Sequence, residues 1–235
     1  MSNSTSIREN IAAIRAQIDA AARETGRTGA DITLVGASKM NDAAACQEAI
    51  AAGIDALGEN RVQEMTAKLA EDAYRGAPLH FIGHLQTNKV RQVVGKVDLI
   101  QSVDSPELLA MIEKRAAMQD IVQDILLEVN IGGEEAKSGF AVSEVRAAAE
   151  RAKSLSHVVL RGLMTIPPVA EGEHGSVPYF EKVHALYVDI NASLYDNKLD
   201  ILSMGMSGDY EDAVRCGATM VRVGTAIFGA RHYTL

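Results

Sequence analysis

Short apolar runs alternate with amphipathic segments along the chain from residue 32 onward. Eight runs are nearly continuous in hydrophobic residues, as is typical of parallel strands covered on both faces: ITLVGAS, GIDALGE, LHFIGHL, VDLIQSV, DILLEVN, VVLRGLMTI, DILSMGM and ATMVRVGTAIF. Segments with helical periodicity lie between them, for example DAAACQEAIAAG and SPELLAMIEKRAAMQ. One more amphipathic helix is predicted before the first run, because apolar residues recur there at helical spacing at Ile7, Ile11, Ile14 and Ile18.

Repeated strand–helix units predict the fold class. Eight such units within about 200 residues favour an α/β protein of the (β/α)8 TIM-barrel type, preceded by the extra N-terminal helix. The alternative is a doubly wound open sheet, which is disfavoured because no G-x-G-x-x-G motif follows the first strand. No low-complexity linker divides the chain, and residues 167–178 are interpreted as a surface loop. We therefore expect residues 1–235 to form one domain.

Composition indicates which kinds of partner the protein binds and in which cellular compartment it lies. The formal net charge of −8 argues against a protein that binds nucleic acid through its phosphate backbone. Cys46 and Cys216 form no CxxC motif and are interpreted as small hydrophobic residues in a reducing compartment. The start of the chain has no secretory signal, and no apolar run approaches the roughly 20 residues that cross a bilayer. We expect a cytoplasmic protein that binds neither nucleic acid nor membrane.

The first strand ends in a lysine, and TIM barrels place their active sites at the C-terminal ends of the strands. Side chains alternate along a strand, so Val35, Ala37 and Lys39 share one side. An ammonium group is costly to bury without a partner. Lys39 is therefore either the point where the strand reaches solvent or an amine presented to a ligand.

The last two strand ends carry small and hydroxyl-bearing residues. GMSGDYEDAVRCG reads as a Ser-Gly turn and a short helix, where free N–H groups and Ser207 form a possible anion site. The alternative is that Ser207 or Asp209 only caps the helix. In RVGTA, Arg222 and Gly224 share one face and Thr225 follows at the rim. Together the two ends predict the phosphate site that barrels build after strands seven and eight.

An amine at strand one and a phosphate site at strands seven and eight become neighbours when a barrel closes. A ligand that carries both an aldehyde and a phosphate would span them. Pyridoxal 5′-phosphate (PLP) is such a ligand, because a lysine forms its Schiff base while the protein binds the phosphate and tunes the ring.

These motifs, taken in order, resemble a known family. The chain is similar over nearly its whole length to the pyridoxal phosphate homeostasis proteins, whose fold is the alanine-racemase type of barrel without the second domain. The similarity rests on LVGASK, LGENRVQE, HFIGHLQTNK, QSVDS, EVNIGGEEAKSGF, GLMTIPP and LSMGMSGDYEDAVRCGATMVRVGTAIFG. The resemblance implies a fold-type III PLP barrel.

The resemblance also assigns roles to residues that match the family's motifs. Lys39 corresponds to the Schiff-base lysine, and Ser207 with Gly208 corresponds to the phosphate-binding turn. Gly224 and Thr225 are implied to give backbone and hydroxyl contacts to the same phosphate.

Two further positions are implied to lie at the ring. Arg222 would face the pyridine nitrogen and Asn60 would lie near the ring. A cationic arginine at that nitrogen disfavours its protonation and weakens the ring as an electron sink.

Three classes of function remain open. The first is a homeostasis protein that holds, buffers or delivers PLP without robust turnover, with apo PLP-dependent enzymes as recipients and a monomeric state. The second is an amino-acid racemase, and in the third the lysine is incidental. Racemisation needs acid–base groups on both faces of the α-carbon. The racemase relatives take the second one from an added domain, which we expect to be missing here. Tyr210 and Tyr233 are the tyrosines nearest to strand ends.

The segment GENRVQE has a structural interpretation. It is typical of a capped helix start, with Glu59, Arg61 and Glu64 as solvated charges. The methionines of LSMGMS are expected to pack under the site.

His80, His84, Glu128 and Asn130 also lie near strand ends. The two histidines share one side of strand three, but no third metal ligand has suitable spacing, so we expect one of them to form a hydrogen bond at the mouth. Glu128 and Asn130 are candidates for a general base or for structural hydrogen bonds, the latter being favoured.

Overall fold

A computed structural model of the chain describes residues 6–169, 171–172 and 174–229. The strands are β1 Thr33–Ala37, β2 Ala56–Glu59, β3 Leu79–Phe81, β4 Leu99–Val103, β5 Gln123–Asn130, β6 Phe140–Ala141, β7 Val158–Thr165, β8 Ile201–Ser203 and β9 Met220–Val223. The α-helices are α1 Ile7–Arg23, α2 Ala43–Ala51, α3 Val62–Ala70, α4 Pro106–Met118, α5 Val142–Lys153, α6 Val177–Leu194, α7 Tyr210–Arg215 and α8 Thr225–Phe228. Two 3-10 helices span Gly29–Asp31 and Thr87–Gln92.

Eight of the strands close into a barrel. Their order is β1-β2-β3-β4-β5-β7-β8-β9, every neighbouring pair is parallel, and β9 pairs back onto β1. The short β6 adds to the side of β5 outside this ring. The predicted TIM barrel is confirmed, and the open doubly wound sheet is wrong.

Alternation along the strands separates two apolar layers. The barrel interior holds a small cluster formed by Val35, Ala56, Leu99, Leu126, Met164 and Met220. An adjacent residue on each of these strands joins the larger core between barrel and helices, as Leu34, Leu57 and Leu127 do. Because Val35 points inward, Ala37 and Lys39 follow it on the same side toward the mouth of the barrel.

The predicted N-terminal helix is present as α1 and packs against helices of the barrel's outer layer. Ser6 and Glu9 form a capping box at its start. Ile11, Ile14 and Ile18 are buried, and the helix contacts α2, α7 and α8. The amide of Asn10 donates to the carbonyl of Ile227 at 2.8 Å, which ties α1 directly to α8.

The last apolar run is only partly a strand. β9 ends at Val223, and the segment after Gly224 is the short helix α8, which buries Ile227. The prediction of one continuous strand is wrong there, because a four-residue apolar segment fits a buried helical turn as well as a strand.

Within the predicted loop 167–178, residues 170 and 173 lie outside the described part of the chain. Among the helices that the structure describes, none combines the length and apolar character needed to cross a membrane.

Candidate functional site

Lys39 lies at the mouth of the barrel beside the last strand. It follows the fully buried Ser38 and is itself half-buried. β1 pairs with β9, with Val35 opposite Arg222. The residues that share a small cleft with Lys39 are therefore drawn from both chain ends: Ala37, Asn41, Gly224, Thr225, Phe228 and Gly229. The structure brings Lys39, Gly224 and Thr225 together as predicted.

Two backbone N–H groups at the start of α8 converge on the hydroxyl of Ser207. The amide nitrogen of Gly224 donates to Ser207 Oγ at 3.2 Å, and that of Ala226 at 3.4 Å. Here the hydroxyl oxygen accepts from both N–H groups, and backbone N–H groups with a hydroxyl are also the kinds of donor that bind an oxyanion. We call Ser207, Gly224 and Ala226 the anion cradle.

Neither of the predicted capping residues caps α7. The N-terminus of α7 has no side-chain capping hydrogen bond from Asp209. The Asp209 carboxylate instead accepts from the Met206 amide at 2.7 Å and from the Ser176 hydroxyl at 3.0 Å. Since Ser207 also bonds elsewhere, the interpretation of this turn as a simple helix cap is wrong.

The turn at Ser207 also faces a larger cleft. Together with Gly208 it lines a cavity of about 690 Å³ bounded by α1, α7 and the loop that contains His174. A Cβ placed on Gly208 would meet no heavy atom within 4 Å, so this glycine leaves open space beside the cradle. Thr225 is exposed at the rim.

Arg222 lies inside the barrel, only 3% exposed. One guanidinium nitrogen donates to Ser203 Oγ at 2.6 Å and the other to the carbonyl oxygen of Thr165 at 2.9 Å. Burial lowers the pKa of Arg222 to about 10, so the group is still cationic at neutral pH. The site therefore has a fixed positive charge in its floor.

A chain of polar side chains continues from Arg222 across the interior. The Ser203 hydroxyl donates to Gln101 Oε1 at 2.6 Å, and Gln101 Nε2 lies 2.9 Å from His80 Nδ1. Burial lowers the pKa of His80 to about 4, so its neutral ring accepts from the amide. Gln101 and Ser203 were not predicted as site residues, although polar residues inside the apolar runs VDLIQSV and DILSMGM were an available signal.

His84 lies apart from His80. Its side chain is 59% exposed, and its Nδ1 is 2.9 Å from a carboxylate oxygen of Asp104. One histidine thus forms a hydrogen bond at the mouth, as predicted. The described residues contain no group of three or more histidine, cysteine, aspartate or glutamate side chains arranged to hold a metal ion.

Glu128 and Asn130 differ in role. Asn130 bonds the backbone of Glu134 through both ends of its amide, which is the expected structural role. Glu128 is 8% exposed and shares the inward side of β5 with Leu126. Within the described chain its carboxyl forms no hydrogen bond. Burial and the charge of Asp104 raise its pKa to about 7, against the opposing charge of Arg222.

Asn60 carries a buried polar atom that lacks a partner. No hydrogen bond to its Oδ1 occurs within the described part of the chain. The loop after β3 lies directly against it, because a Cβ on Gly83 would come within 2.2 Å of the Asn60 carbonyl oxygen. Buried polar atoms are nearly always satisfied, so this one is available to a bound group.

The interpretation of GENRVQE as a run of solvated charges is wrong for both of its glutamates, since Glu64 is only 21% exposed and pairs with Lys68 at 2.8 Å. Glu59 is fully buried and accepts hydrogen bonds from Ser38, Lys68 and Tyr74. Arg61 is exposed, as expected. The segment does begin a helix, α3. Acidic side chains are common in the first turn of a helix, where they are usually exposed, and this pattern led to the wrong interpretation.

The methionines of LSMGMS differ in burial. Met204 is fully buried in the core, as expected, whereas Met206 is 39% exposed. The packing prediction is therefore right for Met204 and wrong for Met206.

The arrangement as a whole offers an amine, an anion cradle and a buried cation within one barrel mouth. Such a set suits a small anionic ligand that carries an electrophilic carbon, since an amine attacks that carbon while N–H donors hold the anionic end.

Comparisons with known proteins agree with this arrangement. The family profile described as alanine racemase, N-terminal domain, matches residues 5–232. A pyridoxal phosphate homeostasis protein of Aquifex aeolicus is 42% identical over 225 residues, which cover 96% of this chain and 98% of that protein. PipY of Synechococcus elongatus, solved with PLP bound, is 33% identical with a TM-score of 0.82, and the match covers 95% of this chain and 100% of PipY.

The enzymes themselves are more distant. Alanine racemase of Clostridium difficile is 18% identical with a TM-score of 0.69, and the match covers 87% of this chain but only 53% of the racemase. That likeness shows the barrel fold alone. The extent of the profile match and the identity to the full-length relatives are decisive: this chain belongs to the alanine racemase N-terminal domain family.

Proposed function

We propose that the protein binds PLP through Lys39 and serves in intracellular PLP homeostasis, where it holds, buffers or delivers PLP to apo PLP-dependent enzymes. The observation that carries this proposal is the shared cleft of Lys39, Gly224 and Thr225, next to N–H groups that converge on Ser207. The close relatives that carry the homeostasis name, and the PLP-bound structure of PipY, support it.

The residues present fit the groups of PLP. The cradle of Ser207, Gly224 and Ala226 supplies donors for a phosphate, and the open space beside Gly208 leaves room for it. The unpartnered Oδ1 of Asn60 is a free acceptor near the same mouth. Lys39 would hold the aldehyde end of PLP, whose electrophilic carbon would supply the site for a Schiff base with the lysine amine.

Arg222 favours holding over turnover. Bound PLP supplies an electron-withdrawing ring, and that property depends on protonation of the ring nitrogen. A guanidinium at that nitrogen opposes its protonation. Hydrogen bonds to Ser203 and Thr165 fix the guanidinium, and its pKa of about 10 keeps it charged.

Among the described residues, the tyrosine nearest to a strand end is not free to serve as a second base for racemisation. The hydroxyl of Tyr210 donates to Gln17 of α1, so this phenol is already engaged. Tyr233 lies outside the described residues. Efficient proton transfer requires a base within hydrogen-bond reach on each face of the substrate, so we propose that turnover is slow.

The binding proposal is tested by spectroscopy and mass spectrometry. The protein with PLP should be yellow, borohydride should abolish the visible band, and peptide mapping should find the reduced adduct on Lys39. Lys39→Ala should lose the adduct, whereas Lys137→Ala should keep it. An adduct on Lys137 in the wild-type protein, with none on Lys39, would contradict the assignment.

The turnover proposal needs a separate assay. The PLP-loaded protein is incubated with L-alanine and other L-amino acids in D₂O, and both α-deuterium and the D-enantiomer are followed. We expect rates far below the 1–1,000 s⁻¹ typical of enzymes. Turnover in that range would establish the racemase instead. Transfer of PLP to an apo-enzyme, lost in Lys39→Ala, is the positive result.

A further inference from the structure

The peptide groups on both sides of Lys39 are held by two side chains of one helix. Lys68 Nζ donates to the carbonyl oxygen of Ser38 at 2.8 Å. Glu64 Oε1 accepts from the amide nitrogen of Met40. Lys68 and Glu64 lie one turn apart on α3 and pair with each other at 2.8 Å. We call Glu64 and Lys68 the α3 clamp.

The buried carboxylate of Glu59 holds Lys68, one of the two residues of the clamp, in place. Lys68 Nζ is 2.7 Å from Glu59 Oε1, and the two side chains are 7% and 0% exposed. The same oxygen accepts from the Tyr74 hydroxyl at 3.0 Å and from the Ser38 hydroxyl. Burial opposes the charge of Lys68, but its bonds to Glu59 and Glu64 raise its pKa above the ordinary value. Lys68 is therefore a fixed cation with few alternative positions.

The chain segment that the clamp holds has an unusual conformation. Met40 has φ of 63°, in the left-handed region that costs a residue with a Cβ roughly 1–2 kcal/mol. It is also 51% exposed, so its own side chain contributes little packing that would hold this turn. The hydrogen bond from its amide to Glu64 offsets part of that cost.

This conformation determines where Lys39 points. Ser38 faces outward to Glu59 and α3, so the following residue faces the barrel mouth by alternation. A change in the turn at Met40 would rotate the Lys39 side chain away from Gly224 and Thr225.

We propose that Glu64 and Lys68 are positioning residues that aim the Lys39 amine at the anion cradle from outside the barrel. The consequence for PLP affinity rests on the function proposed above, whereas the effect on Lys39 itself does not. Neither residue lines the cleft that Lys39 shares with Gly224 and Thr225.

The chain provides a matched control. Glu113 of α4 accepts backbone N–H bonds from Ser156 at 3.3 Å and His157 at 2.9 Å. This is the same kind of glutamate–loop contact. The loop that contains Ser156 and His157 precedes β7, so the contact lies at the opposite end of the barrel from Lys39. Glu113→Ala therefore reports the cost of losing such a contact without any effect on the mouth.

The experiment compares the wild-type protein with Glu64→Ala, Glu64→Gln and Glu113→Ala. Lys39 is labelled with limiting acetic anhydride without PLP, and its rate is read by mass spectrometry against exposed lysines. PLP affinity is then measured by titration. We expect Glu64→Ala to label Lys39 at least about threefold faster and to bind PLP about tenfold more weakly. Glu64→Gln, whose amide oxygen still accepts from Met40, should stay within about threefold of wild type in both readouts.

The outcomes separate the two proposals. Unchanged Lys39 labelling in Glu64→Ala, or an equal change in Glu113→Ala, would overturn the clamp whether or not PLP binds. Faster labelling with unchanged PLP affinity would overturn its positioning role. A wild-type protein without a Lys39 adduct would instead contradict the proposed function, and the labelling rates would still test the clamp.

Discussion

Arg222 and Ser203 form a hydrogen bond of 2.6 Å inside the barrel, with the guanidinium as donor. The serine hydroxyl in turn donates a hydrogen bond to Gln101 Oε1 at 2.6 Å. One hydroxyl thus satisfies a buried cation and a buried amide at once. Burying either group without its partner would be costly, so Ser203 allows an arginine to occupy the floor of the site.

Removal of this hydroxyl should destabilise the protein. We expect Ser203→Ala to lower the free energy of unfolding by about 1–3 kcal/mol, because it leaves buried atoms of Arg222 and Gln101 unsatisfied. Urea denaturation measures the loss. Ser193 is a matched control, since it accepts from Arg146 at 3.0 Å on the protein surface, and Ser193→Ala should cost less than about 0.5 kcal/mol. Equal losses would contradict the role assigned to Ser203.

Substitution of Ser207 should affect the phosphate end of the ligand selectively. Loss of one hydrogen bond to a charged group should weaken PLP binding by about 1.5–3 kcal/mol in Ser207→Ala. Pyridoxal lacks the phosphate and should lose much less affinity. Titration with both ligands makes the comparison, and equal losses for the two would show that Ser207 does not contact the phosphate.

Two glycines at the mouth should respond to alanine in opposite ways. In Gly83→Ala the new Cβ would lie 2.2 Å from the Asn60 carbonyl oxygen, so we expect a loss of about 3 kcal/mol or more in unfolding free energy. In Gly208→Ala no atom lies within 4 Å of the Cβ, so stability should change by less than about 0.5 kcal/mol. PLP affinity should nevertheless fall if the phosphate occupies that space. Thermal melts and PLP titration separate the two effects, and a destabilised Gly208→Ala would contradict this expectation.

Glu128 should lower the free energy of unfolding as the pH rises. Its pKa is raised from 4.5 to about 7, so between these values the folded protein holds a proton that the unfolded chain releases. Stability from this group is present below pH 4.5 and is lost as the pH rises through 7. Glu128→Gln should therefore gain about 1–3 kcal/mol relative to wild type at pH 8 compared with pH 4.5. Urea titrations at both pH values give the difference.

The exposed Glu150 on α5 provides the control for that comparison. Glu150→Gln should show the same pH dependence as wild type. If Glu128→Gln behaved in the same way, the carboxyl of Glu128 would not be the group that couples folding to protons in this range.

The barrel was predictable because its strands are buried on both faces and so form near-continuous apolar runs. The side on which Lys39 faces followed from alternation, and the inward position of Val35 agrees with it. The start of α8 was not predictable, because the apolar run continues past Gly224 and periodicity does not separate so short a helix from a strand. Gly224 lies at the junction where β9 ends and α8 begins, so its position in the site was not predictable either.

Polar contacts between distant strands were not predictable from the sequence. Gln101 and Ser203 are far apart in the chain and meet only because β4 and β8 face each other across the closed barrel. Glu59 was misinterpreted for a related reason. Its burial depends on Lys68 and Tyr74 arriving from α3 and the turn after it, and no local pattern reveals such a meeting.

The pairing of β1 with β9 has a consequence for biosynthesis. Lys39 lies near the beginning of the chain, while Gly224 and Thr225 lie near its end. A ribosome therefore exposes the amine long before it releases the residues of the anion cradle. Until β9 docks beside β1, the nascent chain has a lysine but no complete pocket. We expect PLP capture to follow the synthesis of β9 and its pairing with β1, so the docking of this last strand would be the folding step that completes the pocket.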